Sequence, residues 1–177
     1  MNIRHAQAME VLTDADYQLG NSNLEDLEKL LKQLEAKEDH SGCVGVRNTI
    51  ANLKEWERLK ELSVKIPIKK EWFKMILSGE KKEEYREIKR HWISRLVPEH
   101  YQMTHNSTFY RGSYGRKSGK KYILFHNGYL ATSMQFIIEW NDLSVGYPKS
   151  NWCPKDTDLE KLVFRLHLGN IIQKRYC

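Results

Sequence analysis

The stretch Lys65-Ile-Pro-Ile-Lys-Lys-Glu-Trp-Phe-Lys-Met-Ile-Leu-Ser-Gly-Glu-Lys-Lys-Glu-Glu-Tyr-Arg86 decides how the rest of the chain is read. Its first residues alternate as a strand. Trp72, Phe73, Ile76 and Leu77 then recur at helical spacing, and Gly79 stands where a helix C-terminus favours a left-handed backbone. The spacing therefore predicts strand, short helix, glycine turn and second strand. In that second strand, alternation sends Lys82, Glu84 and Arg86 to one face and Glu83, Tyr85 and Glu87 to the other. A row of cation, carboxylate and cation is costly to bury without partners. It either forms a paired network or lines a cleft.

Working back toward the N-terminus, residues 1–60 read as helical. A first helix is expected from Ile3 to Leu19, and Gly20-Asn-Ser-Asn23 breaks and caps. Leu24, Leu27, Leu30, Leu31 and Leu34 form one apolar stripe. Asp39-His-Ser-Gly42 is read as the end of that helix, and Val44 to Leu59 as another, with Val46, Ile50, Leu53 and Trp56 at helical spacing. Such stripes need cover, so a helical hairpin is expected, packed on itself, on the following domain, or on a second copy of the chain or another protein.

Working forward, Leu62 to Ile68 alternates as a strand, with Pro67 near its end, where a missing N–H is tolerated. His91 to Leu96 reads as a short helix stopped by Pro98, and residues 98–119 as a loop. Lys121 to His126 and Ala131 to Trp140 read as strands around a turn at Asn127-Gly128. Gly146 to Asn151 is a further loop. Lys161 to Leu168 is a strand that Gly169 ends, with Leu162, Phe164, Leu166 and Leu168 on one face, and residues 170–177 form a short strand or tail. The sum is α+β: a helical extension over residues 1–60, then a small mixed barrel of five or six strands with short helices over residues 61–177.

The bulk properties bound the function. At 177 residues with 40% hydrophobic and 29% charged side chains, the chain is globular with room for one good core. The charge is uneven. Residues 1–60 hold 8 Lys and Arg against 11 Asp and Glu, which leaves residues 61–177 with 21 of the 29 basic and 12 of the 23 acidic side chains. The second segment thus has the electrostatic footprint of a polyanion binder. Three scattered cysteines give no disulfide framework and no zinc spacing. No secretory signal and no run near the roughly 20 apolar residues of a membrane span is visible, so a cytoplasmic protein without membrane contact is expected.

Several chemistries find no support. In Gly112-Ser-Tyr-Gly-Arg-Lys-Ser-Gly-Lys-Lys121, three residues rather than four separate Gly115 from Gly119, and no Ser or Thr follows Lys120, so the phosphate-loop pattern fails. No G-x-G-x-x-G follows a strand, no H-E-x-x-H occurs among the seven histidines, and no G-x-S-x-G elbow exists. No cofactor or metal is expected. What remains is two basic clusters interleaved with aromatic residues. One comprises Lys69, Lys70, Trp72, Lys74, Lys81, Lys82, Arg86, Lys89 and Arg90. The other comprises Tyr110, Arg111, Tyr114, Arg116, Lys117, Lys120, Lys121 and Tyr122. Lys and Arg hold phosphates, and Tyr and Trp stack on unpaired bases, so RNA or a nucleotide is the expected partner.

Ile66-Pro-Ile68, Trp72-Phe73, Ile76-Leu77 and Ser78-Gly-Glu-Lys-Lys-Glu-Glu-Tyr-Arg86 resemble the signature of the ASCH family, a hydrophobic strand with proline, a short helix and G-x-K-x-x-E-x-R. The last element matches as Gly79, Lys81, Glu84 and Arg86, and the resemblance extends over residues 62–172. It implies a PUA-like barrel with a cleft lined by the signature residues, and association with RNA. The family includes coactivator-linked, prophage-encoded and stand-alone bacterial members. One branch hydrolyses the acetyl group of N4-acetylcytidine with the signature lysine, here Lys81, and a threonine nucleophile whose position is Glu84 here. Other members are described as ribonucleases. The residues keep both binding and catalysis open. Lys81 contacts a phosphate or polarises a carbonyl. Glu84 accepts a base amino group or serves as general base, and Arg86 pairs with Glu84 or holds a phosphate.

Overall fold

The computed structural model describes residues 24–102, 109–128 and 134–175. The described residues divide into two compact units, one ending at residue 58 and the other spanning 59–175. The helix expected over Ile3–Leu19 lies outside the described residues.

In the first unit, helix α1 (Leu24–Ala36) is followed by α2 (His40–Glu61), whose last residues enter the second unit. Leu27, Val46 and Ile50 are buried together, with Leu30, Leu31, Leu34 and Leu53 packed around them. Arg47 meets Glu35 at 2.7 Å and Lys54 meets Glu28 at 3.4 Å, which sets the two helices antiparallel. These exposed pairs add little beyond register, about 0–1 kcal/mol each. The break is shorter than the sequence suggests. Glu38 takes the left-handed conformation (φ 56°), and the Asp39 carboxylate accepts from the Gly42 N–H at 3.0 Å. Asp39 therefore caps the second helix rather than ending the first, and α2 starts four residues before Val44.

The second unit is α+β, a curled half-barrel sheet with short helices. Strands β1 (Ser63–Ile68), β2 (Glu83–Glu87), β3 (Gly112–Ser113), β4 (Tyr122–Asn127), β5 (Gln135–Gly146) and β6 (Val163–Arg175) form one six-stranded sheet in the order β1-β4-β5-β6-β2, with β3 added to β5. Among the described strands only β1 and β4 run parallel. The inner face carries Ile66, Phe125, Phe136, Ile138, Trp140, Leu143, Phe164 and Leu166, all buried. Helix α3 (Lys70–Leu77) crosses from β1 to β2 and drops Phe73 and Ile76 into this core. Burial of two such side chains stabilises by about 1.5–3 kcal/mol each. Helices α4 (Arg90–Leu96) and α5 (Glu99–Gln102) follow β2.

Three expectations are corrected. Strand β6 does not stop at Gly169 but continues to Arg175, and β5 runs past Trp140 to Gly146. The two long strands pair with register shifts around Ile138–Asp142, and Gly169 sits opposite that irregularity. A Cβ there would come within 2.8 Å of Glu139 Cβ and 2.7 Å of its carboxylate. The glycine is a point of close approach, not a stop. The third correction concerns residues 98–119, which hold α5 and β3 rather than loop alone.

Among the described residues the sheet does not close by backbone pairing, because β1 and β2 stand at opposite ends of the strand order. Side chains bridge that seam. Arg86 Nη2 donates to the Pro67 carbonyl at 2.8 Å, and Arg95 Nη2 donates to the Lys65 carbonyl.

Candidate functional site

The cleft lies at this seam. A cavity of about 550 Å³ is lined by Pro67 and Ile68 from β1, Lys69 to Trp72 at the start of α3, Lys81, Glu84 to Arg86 on β2, Asn127-Gly128, and Trp152 to Pro154. Local sequence explains how Lys81 arrives there. Ser78 ends α3, Gly79 turns with φ 80°, and the Lys81 N–H returns to the Met75 carbonyl at 3.0 Å. That turn throws the chain back over the helix end and starts β2 two residues later.

Lys81 is 3% exposed and Glu84 4%. Lys81 Nζ lies 3.1 Å from Glu84 Oε2, 5.0 Å from the Trp72 ring centre and 4.7 Å from that of Tyr85. It also donates to the Trp152 carbonyl. Arg86 Nη1 reaches Glu84 Oε1 at 3.1 Å and its guanidinium stacks on Trp92 at 4.9 Å. One carboxylate thus sits between two cations, and burial lowers the Lys81 pKa although the Glu84 charge opposes that fall. The charged row is Lys81, Glu84 and Arg86. Lys82, which strict alternation puts on that face, is exposed.

Three buried polar atoms of the lining have no hydrogen-bond partner among the described residues: Glu84 Oε2, Arg86 Nε and Trp152 Nε1. Glu84 Oε2 keeps its ion pair with Lys81 but accepts no well-directed hydrogen bond. The three side chains that carry these atoms line a single cavity beside indole and phenol rings.

The opposite face of β2 holds a second charged group that sequence reasoning does not single out. Glu83, 6% exposed, takes Lys149 Nζ at 2.9 Å on Oε1 and a two-pronged contact from Arg165, Nη2 to Oε1 and Nε to Oε2, each at 2.9 Å. Tyr85 donates to Glu83 Oε2 at 3.1 Å. Burial pushes the Glu83 carboxyl up, but the Arg165 and Lys149 bonds outweigh it and bring it down to about 2. Burial, and then the Glu83 charge, push the Tyr85 hydroxyl well above its ordinary value against the opposing bond from the Lys149 backbone.

Of the residues expected from sequence, Lys69, Lys70, Trp72, Lys81, Glu84 and Arg86 meet at the cleft. Arg90 is exposed at the start of α4, away from the lining. The second basic cluster does not join them. Arg116 donates to the Trp140 carbonyl at 2.9 Å, Lys117 to the Ser94 carbonyl and Lys120 to the Glu61 carbonyl. Tyr114 bonds the Tyr110 backbone at 2.9 Å, and Arg111 stacks on Tyr147 at 5.3 Å. These cations tie the loop to the unit. The wall made by Trp152, Cys153 and Pro154 escapes sequence reasoning because it is remote along the chain. Its available signal is the Pro-bounded segment Pro148-Lys-Ser-Asn-Trp-Cys-Pro154, which places a large aromatic residue in a loop.

Among the described residues no group of three or more His, Cys, Asp or Glu is placed to hold a metal ion, and no helix is long and apolar enough to cross a membrane. Comparison of the chain with protein-family models, curated proteins and solved structures returned no match.

Proposed function

We propose that residues 59–175 are a PUA-like barrel of the ASCH kind, and that the seam cleft binds a base of single-stranded RNA or a nucleotide. The observation that carries this reading is the convergence of Trp72, Tyr85 and Trp152 with the Lys81–Glu84–Arg86 group on one cavity of about 550 Å³. A planar ring is held there by stacking. Its polar edge meets the side chains of Arg86 and Trp152, both only partly buried in the cavity lining. Lys69 and Lys70, exposed at the cleft edge, supply the contact to a phosphate.

Titration of the full chain with nucleoside monophosphates and a short single-stranded RNA, followed by tryptophan fluorescence, tests it. Quenching is expected, with RNA affinity falling as salt rises. Replacing Lys69 and Lys70 reduces the salt slope by about 1 for each phosphate that is no longer neutralised. Binding that ignores salt, Lys81→Ala and Arg86→Ala alike would sink the proposal.

A second reading is favoured by the lowered pKa of Lys81, since a lysine pushed toward its neutral form is suited to proton transfer. In that reading Lys81 and Glu84 form the polar core of a hydrolase acting on modified nucleosides or on RNA. Glu84 stands where the acetylcytidine-hydrolysing branch has its threonine, so the residue acts as general base rather than nucleophile. Incubation with a panel of modified nucleosides and short RNAs decides: turnover lost in a folded Lys81→Ala chain supports catalysis, and no turnover of any member removes it.

A further inference from the structure

The wall that completes the cleft is a short strap. Residues 147–154 leave β5 after Gly146, make one turn of 3-10 helix at Ser150–Trp152, and return past Cys153. The strap is fastened at three points. Lys81 donates to the Trp152 carbonyl; the Lys149 N–H donates to the Tyr85 hydroxyl at 3.2 Å; and Lys149 Nζ sits on Glu83 Oε1 at 2.9 Å while lying 4.5 Å from the Trp152 ring centre. Two of these fastenings end on Glu83, directly or through Tyr85. Arg165 fixes the carboxylate from the other side, its guanidinium lying 2.9 Å from where a Cβ of Gly146 would be.

We infer that Glu83 is a positioning residue for the cleft: it latches the 147–154 strap through Lys149 and Tyr85 and so holds Trp152 as the cleft wall. A buried carboxylate held by four hydrogen bonds from three side chains is a firm anchor, whereas the strap has no strand pairing of its own and depends on its side-chain ties. Trp152 is held at its backbone by Lys81 and at its ring by Lys149, so the latch aligns the same indole that lines the cavity. The latch itself stands without a ligand. The benefit to binding rests on the proposed function.

Cys153, 6% exposed and donating to the Lys149 carbonyl at 3.3 Å, reports strap opening. In a full chain carrying Cys43→Ser and Cys177→Ser, reaction of Cys153 with a thiol reagent should be slow, and Glu83→Gln should speed it roughly tenfold. Lys149→Met, which alters an exposed side chain, should also speed it and keeps the test valid if Glu83→Gln fails to fold. A chain retaining only Cys43 measures unfolding of the first unit, and circular-dichroism melting measures the second. Cys153 rates unchanged in Lys149→Met, or raised no more than the loss of stability explains, overturn the latch. In the binding arm, Glu83→Gln should weaken nucleotide affinity in the parent chain but add nothing in a Trp152→Ala background. An equal loss in both backgrounds overturns positioning through Trp152. Absence of nucleotide binding by the parent chain removes the ligand reading while the thiol rates still decide the latch.

Discussion

Lys81 and Glu83 lie two residues apart, and because both pKa values are lowered, stability rises with pH through each of their two separate windows. The Glu83 carboxyl is depressed from 4.5 to about 2, so its ion pairs stabilise the fold fully above pH 4.5. That stabilisation is lost as pH falls through the folded value. Each pKa unit is worth about 1.4 kcal/mol, and discounting for the half-exposed Lys149 leaves about 2 kcal/mol. Denaturant unfolding across this acid window should therefore lose a component of about that size, and Glu83→Gln should flatten it, the Glu83 main chain lying opposite His167 in either case. Lys81 has the same sign for a different reason, since burial disfavours its charged form. Its folded pKa is lowered, so the unfolded chain binds the proton more tightly and stability rises with pH from the folded value up to 10.5. Lys81→Met should abolish that alkaline rise. Lys81→Ala should destabilise by about 2–4 kcal/mol because it empties a buried position between two rings and leaves Glu84 with one partner fewer. Chemical denaturation checks both. The Glu84 and Arg86 positions are readable from strand alternation, since that rule needs only local spacing. Glu83's partners are not, because Lys149 and Arg165 lie 66 and 82 residues away and no local pattern announces them.

At the scale of elements, the strand–helix–strand reading of residues 65–86 holds because each signal in it is local: alternation, apolar spacing and a glycine with positive φ. Gly169 misleads for a physical reason. The residue type marks both strand ends and points of close backbone approach, and only the partner strand tells which. Gly169→Ala should destabilise the second unit by about 1–3 kcal/mol, as the new methyl drives into Glu139 beside the β5–β6 irregularity. Thermal unfolding measures it. The same substitution at Gly45, with nothing within 4 Å of its Cβ position, serves as the tolerant control. Helix α2 shows the complementary case, where Asp39 reads as a terminator although its short carboxylate serves equally well as a cap for the next helix.

At the scale of the molecule, the acidic balance of residues 1–60 and the basic balance of the remainder follow the division into two compact units. The second basic cluster shows the limit of charge counting. Lys117 and Lys120 commit their positive ends to backbone carbonyls, which composition cannot distinguish from phosphate contacts. RNA affinity should therefore respond more strongly to Lys69→Ala with Lys70→Ala than to Lys117→Ala with Lys120→Ala. Equal loss from the two pairs in a filter-binding series would count against the seam as the binding face.

The seam has one more consequence. An open sheet leaves two borders, and the β1 border offers its outward backbone groups to any extended chain that meets it. Here Pro67 has no N–H to offer, and the carbonyls of Lys65 and Pro67 are already occupied by Arg95 and Arg86. The two arginines thereby act as chaperones of the protein's own border, denying it to a neighbouring molecule. Replacing both by alanine should turn a clear solution into one whose light scattering grows with concentration, even where the folded spectrum is unchanged.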